Sequence, residues 1–148
     1  MNGETKAFSI HVVLVDNVLL TQEALALVLQ NRDKDLNVSV VANSKEITES
    51  PDVILVNGKS HELTDADIIN EATHIRETWP TVPRLIILER TLPANTALEA
   101  LRMGWHGYFP ANERLELLIM AIRIVKLGGI FVPSELGNYL RSEPKSGV

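Results

Sequence analysis

Five short apolar runs, at residues 11–15, 37–41, 53–56, 85–88 and 107–109, constrain this chain more than any other feature. They are dominated by valine, leucine and isoleucine with little polar alternation, the composition of strands buried on both faces. Strands of that kind lie in parallel sheets, and a parallel return needs a crossover long enough to hold a helix. The intervals between the runs carry helical spacing.

Across 21–31, Ala24, Leu25, Val28 and Leu29 recur at helical intervals, with Thr21 as the expected N-cap. A short, weak helix is expected over 45–49, ended by Pro51. Residues 57–63 read as a polar loop in which Asn57-Gly58 is a good turn pair. Thr64, Asp65 and Asp67 then open a helix running to about Trp79, ahead of Pro80. Pro93 starts another through Ala97, Leu98, Leu101 and Met103, stopped by Gly104. Asn112 is the expected cap of the last long helix, whose Leu115, Leu118, Ile119, Ile122 and Val125 form a stripe ending at Gly128-Gly129. Residues 134–141 look like a further helical start, with a polar tail from Ser142. Five strands alternating with five helical segments predict an α/β fold with helices on both faces of a parallel sheet. Right-handed crossovers leave few topologies, among them the flavodoxin-like strand order 2-1-3-4-5.

With 148 residues the chain has the size of one domain. Its 14 Lys and Arg against 19 Asp and Glu give a net charge of -5, a balance that repels a nucleic-acid backbone. The absence of cysteine removes disulfides, thiolate metal sites and cysteine nucleophiles, and fits a reducing compartment, so a cytoplasmic location is expected. No run has the length of a membrane span or of a signal-peptide core.

In a sheet of this kind the functional crevice lies outside the carboxyl ends of the strands, which directs attention to Asp16, Asn17, Asn57, Glu89, Arg90, Pro110 and Ala111. The first strand-to-helix turn reads Asp-Asn-Val-Leu-Leu-Thr and lacks the glycines a phosphate cradle needs. There is no P-loop and no Gly-x-Ser-x-Gly elbow, so nucleotide, flavin and serine-hydrolase chemistry are disfavoured and no enzyme is expected. His11, His61, His74 and His106 have no metal-ligand spacing and read as structural or surface residues. Glu62, Asp65 and Asp67 are accounted for by a helix dipole.

Several segments, taken in order, carry a resemblance. They are Val13-Leu14-Val15-Asp16-Asn17, Asp52-Val53-Ile54-Leu55-Val56-Asn57, Leu85-Ile86-Ile87-Leu88, Ala100-Leu101-Arg102-Met103-Gly104 with Gly107-Tyr108, and Ala121-Ile122 through Gly128-Gly129 to Val132-Pro133-Ser134-Glu135-Leu136. From about Ser9 to Arg141 the chain resembles the receiver domain of LuxR/FixJ/NarL-type bacterial response regulators. The resemblance implies a CheY-like three-layer fold over 9–132, an N-terminal tail over 1–8, and at 133–148 the start of a linker towards a helix-turn-helix domain. DNA contact would then come only through such an attached domain.

A working receiver in this family holds Mg²⁺ on an acidic pair after the first strand and takes phosphate on an aspartate after the third. A hydroxyl after the fourth and a lysine after the fifth read the phosphoryl group. At the matching positions this chain carries Asp16, Asn17, Asn57, Glu89 and Ala111. A carboxamide has no nucleophilic oxygen for an acyl phosphate, so Asn57 cannot be the acceptor. Loss of acidic ligands weakens a hard-cation site, although Glu89 offers a carboxylate that would also repel phosphate. Without a lysine at Ala111, the cation that would bind phosphate is missing.

The resulting expectation is a phosphorylation-independent pseudo-receiver of a transcription regulator, without cofactor, acting by dimerisation or protein contact. Alternatives are a small-molecule sensor using the degenerate pocket, or a phosphorelay receiver of two-component signalling with altered pocket chemistry. Asp16 either caps the first helix or pairs with Arg90, or else keeps a residual cation site. Asn57 either bonds within its loop or imitates a fixed signalling state. Tyr108 matches the family's switch aromatic, and also fits an ordinary half-buried tyrosine. Leu117, Ile124 and Leu127, with the first helix, are candidates for a homodimer surface.

Overall fold

A computed structural model describes residues 9–133. The expected N-terminal tail, the helical start over 134–141 and the linker lie outside these residues, except for Pro133. The strands are β1 Ile10–Val15, β2 Leu36–Val41, β3 Val53–Asn57, β4 Arg84–Leu88 and β5 Tyr108–Pro110. Interleaved with them are α1 Leu19–Arg32, α2 Ala66–Thr78, α3 Ala94–Arg102 and α4 Leu115–Lys126. All pairings are parallel and the order is β2-β1-β3-β4-β5, as expected.

Alternation along the strands separates two cores. Val13, Val15, Ile54, Val56, Ile86, Leu88 and Tyr108 face Ile68, Ala72 and Ile75 of α2 and Ala97 and Ala100 of α3. Ile10, Val12, Leu14, Val53, Leu55, Leu85, Ile87 and Phe109 face Leu29 of α1 and Leu118, Ala121, Ile122 and Val125 of α4. The sheet is therefore buried on both sides, which explains why its central strands are continuously apolar.

Local details depart from the sequence expectations. The segment expected as a helix over 45–49 is a single 3-10 turn, Ser44–Glu46, capped by the Asn43 side chain. Thr21 is not the cap of α1; the helix begins at Leu19 after Val18, and the Thr21 hydroxyl donates to Asp16 instead. Asn112 likewise does not cap α4, whose N-cap is Arg114. Thr64 and Pro93 precede their helices, α2 being led by Asp65 and α3 by Pro93 as the N-cap residue.

The apolar stripe of α1 is also rotated from the expected one. Leu29 is buried and Leu25 packs against the same core, whereas Ala24 and Val28 are exposed. Gln22 takes an inward place because its amide donates to the Asp16 carbonyl at 2.9 Å, a polar group that needs a partner at the buried end of β1.

Candidate functional site

Parallel pairing brings the ends of β1 and β3 side by side, with Val15 in register with Val56. The next residues, Asp16 and Asn57, thereby meet at the point where the strand order reverses, and the Asn57 Nδ2 donates to Asp16 Oδ2 at 2.9 Å. Asp16 is 2% exposed, so each of its oxygens needs a donor. Oδ2 also accepts from the Thr21 hydroxyl at 2.7 Å, and Oδ1 accepts from the Val18 backbone at 3.0 Å.

The remaining donor is one that the sequence reading missed. Lys59 Nζ lies 2.5 Å from Asp16 Oδ1 and 3.3 Å from Asn17 Oδ1. Lys59 has φ 52°, the single positive value among the described non-glycine residues, and this left-handed turn folds the lysine back over the strand ends. Its backbone amide donates to Asn57 Oδ1 at 3.3 Å. The left-handed residue of this turn is Lys59 and not Gly58. Gly58 is needed for closeness: a Cβ there would stand 2.7 Å from the Ile87 carbonyl oxygen, to which the Gly58 amide donates.

Burial raises the pKa of the Asp16 carboxyl, but the hydrogen bonds from Lys59, Val18, Thr21 and Asn57 outweigh it and hold the group below its ordinary value. Asp16 is therefore a carboxylate satisfied on both oxygens. The expected pairing with Arg90 does not form, since Arg90 bonds to Glu62 at 3.1 Å on the surface. Its capping reading holds in part, through the Val18 amide and Thr21 hydroxyl at the start of α1.

Of the other positions singled out, Asn17 is exposed and contributes its amide oxygen to Lys59. Glu89 is exposed and lines a separate small recess with Ser60, Glu62 and Arg90, so it is not placed with Asp16 as a substitute carboxylate. Ala111 is exposed beyond β5, its amide bonded to the Leu88 carbonyl at 2.7 Å. Tyr108 is 1% exposed and not half-buried, and its hydroxyl accepts from the Leu92 amide at 2.9 Å.

Beside Asp16, Asn57 and Lys59 opens a cavity of about 400 Å³, bounded by the turn after β2 and by the first turns of α2. Asn43, Lys45, Asn70 and Glu71 give it a polar wall. Among the described residues no group of three or more His, Asp or Glu is arranged to hold a metal ion. His11 and His61 are bonded to Ser39 and Asp65, His74 lies against Thr78, and His106 accepts from the Arg84 amide. No helix among these residues is long and apolar enough to cross a membrane.

No family model matches the sequence. The transcriptional regulatory protein LnrK of Bacillus subtilis (strain 168) is 24% identical over 143 residues, an alignment covering 92% of this chain. The chain spans only 62% of the length of that relative. Among solved structures, a LuxR-family two-component response regulator from Aurantimonas sp. SI85-9A1 superposes with a TM-score of 0.71 at 21% identity, covering 92% of this chain and 98% of that one. A LuxR-family DNA-binding response regulator from Silicibacter pomeroyi gives 0.66 at 19% identity, covering 86% and 98%. A structure of two RcsB dimers bound to two parallel DNAs gives 0.66 at 15% identity, covering 89% and 67%. At these identities the likeness is one of fold. The described residues share the fold of these LuxR-family response-regulator structures, a parallel sheet in the order β2-β1-β3-β4-β5 covered by helices on both faces.

Proposed function

We propose that this chain is a receiver-like module of a transcription regulator that works without phosphorylation, through dimerisation or protein contact and not by catalysis. The observation that carries this reading is that the buried Asp16 carboxylate is satisfied by the chain's own donors, with the Lys59 ammonium at its open edge. A divalent cation entering there would have to displace an ammonium already paired at 2.5 Å, and would gain amide oxygens where acidic ligands are wanted. Asn57 offers a carboxamide in place of a nucleophile. Lys59 meanwhile supplies positive charge on the Asp16 side of the crevice, with Ala111 at the place where the resemblance looks for lysine.

Dimerisation has its own support. Leu19, Leu20 and Leu27 of α1 and Leu127 and Ile130 after α4 are exposed, with Leu20 at 77% and Leu127 at 84%. The two helices are neighbours, joined by Arg123 to Asp33 at 2.7 Å and by Arg32 to Glu116. Leu117 and Ile124, expected on this surface, instead pack partly against the core, leaving Leu127 as the outward residue. RcsB, solved as dimers on DNA, is a precedent for such a module acting in pairs. A DNA-binding domain attached to residues 133–148, a boundary near 132 and a cytoplasmic location belong to the same proposal.

The test is incubation of the full chain with acetyl phosphate or beryllofluoride and Mg²⁺. Intact mass and sedimentation coefficient are expected to stay unchanged, and a covalent phosphate on the chain would overturn the proposal. Leu20→Asp or Leu127→Asp is expected to dissociate a dimer seen for the unaltered protein.

A second reading, small-molecule sensing, is favoured by the cavity beside Asp16, whose volume of about 400 Å³ lies in the range of ligand sites. Saturable thermal stabilisation by a small polar metabolite, abolished by Asn70→Leu in the cavity wall, would favour it over the first.

A further inference from the structure

The opposite end of the sheet carries a charge arrangement with no counterpart at the Asp16 crevice. Arg84, the first residue of β4, is 3% exposed, yet no carboxylate lies within salt-bridge distance of it among the described residues. Its Nε bonds to the Val82 carbonyl, and its Nη2 to the carbonyls of Trp79, Pro80 and Val82. Its Nη1 has no hydrogen-bond partner among the described residues. Arg76, in the last turn of α2, donates from Nη1 to the Met103 carbonyl at 2.7 Å and also lacks a carboxylate. By contrast, Arg32, Arg90, Arg102 and Arg123 each face one.

Both guanidinium groups converge on Gly104. A Cβ built there would lie 3.6 Å from Arg76 Nη1 and 3.6 Å from Arg84 Nη1, so the two nitrogens are separated by no more than twice that distance. The glycine itself is explained by its φ of +101°, and the closeness of two cations with no carboxylate between them is what remains unexplained. The carbonyls around Arg84 take up its Nε and Nη2 without cancelling its charge. Burial, and then the charge of Arg76, lower its proton affinity, as expected of a repulsion left unneutralised. The next residue, Trp105, is 2% exposed, and its indole N–H has no partner among the described residues. This corner keeps unpaired donors beside its carbonyl acceptors and has no carboxylate in salt-bridge reach of either arginine among the described residues.

We propose that Arg76 and Arg84, which meet beside Gly104, form a binding site for a compact oxyanion, phosphate or carboxylate. Two guanidinium groups beside a residue with no side chain can each give charge-assisted hydrogen bonds to one such group. Bound there, the anion ties the end of α2 to the turn between α3 and β5.

The test uses ¹⁵N-labelled full chain titrated with inorganic phosphate, and separately with acetate, at constant ionic strength set by NaCl. Saturable shifts are expected at the Gly104 and Trp105 amides with an apparent Kd on the order of 1 mM. In Arg76→Gln, an exposed position whose fold is checked by circular dichroism, affinity should fall by at least about tenfold. Arg76→Lys, which keeps the charge without the fork, should lie between the two. A response to phosphate alone or to acetate alone identifies the source of the oxyanion and supports the site. Shifts confined to Lys45, Asn57 and Lys59, no saturation with either anion, or equal affinity in Arg76→Gln would each overturn the proposal.

Discussion

Lys59 Nζ sits 2.5 Å from Asp16 Oδ1, an ion pair between a partly exposed loop lysine and a carboxylate sealed at the end of β1. The pair closes a gap of 43 residues in sequence. Removing one member of a buried pair leaves the other uncompensated, which costs more than the pair itself contributes.

Lys59→Met is therefore expected to destabilise the fold by about 2–3 kcal/mol, read from urea unfolding. The double variant Asp16→Asn with Lys59→Met should cost less than the two single changes added together, because neither partner is then stranded. Additive losses would show that the pair is not coupled.

Two groups give the stability an acid dependence with a defined sign. Burial, and then the charge of Arg84, lower the pKa of His106 from 6.5, so the folded state prefers the neutral ring. Stability should accordingly decline as pH falls below 6.5, where the unfolded chain takes up the proton first. Asp16, held below 3.8, contributes stability that is present above that value and disappears as pH falls through the lower folded pKa. Urea midpoints measured from neutral pH downwards should show both declines, with His106→Gln removing the first and the Asp16→Asn, Lys59→Met double variant the second.

Close backbone approach makes substitution costly at two glycines. Gly58→Ala places its methyl 2.7 Å from the Ile87 oxygen and 3.1 Å from Leu88 Cδ2, for an expected loss of about 2 kcal/mol or more. Gly107→Ala should be worse, since its Cβ would fall 2.1 Å from the Phe131 oxygen at a φ of +144°. Thermal unfolding of the two variants ranks them, and equal melting temperatures would contradict the argument.

Tyr108 holds the loop after β4 by accepting the Leu92 amide. Tyr108→Phe should cost about 1–2 kcal/mol and speed hydrogen exchange at Leu92 while leaving the β4 amides protected. Unchanged exchange at Leu92 would mean that the tyrosine does not restrain the loop.

The strand runs were legible because a strand buried on both faces must be apolar along its length, and this is written locally in residues such as Val53 to Val56. The same logic made the α4 stripe readable from Leu118, Ile122 and Val125. Caps were read less well. Thr21 and Asn112 are good cap residues by chemistry, but the helices start where their strands release the chain, and Thr21 was drawn to Asp16. The α1 face was misplaced for a related reason, Gln22 being pulled inward by the Asp16 carbonyl.

By itself the sequence determined the α/β class, the strand order among a few allowed topologies, and the presence of Asp16 and Asn57 at adjoining strand ends. Only tertiary structure decided which cation meets Asp16, that Glu89 and Ala111 stand away from it, and that Arg76 and Arg84 converge on Gly104. Periodicity is a property of neighbours along the chain and survives in the sequence. Partners at strand ends and helix ends are chosen by loop dihedrals, such as the left-handed turn at Lys59, and by distances across the sheet that no local pattern encodes.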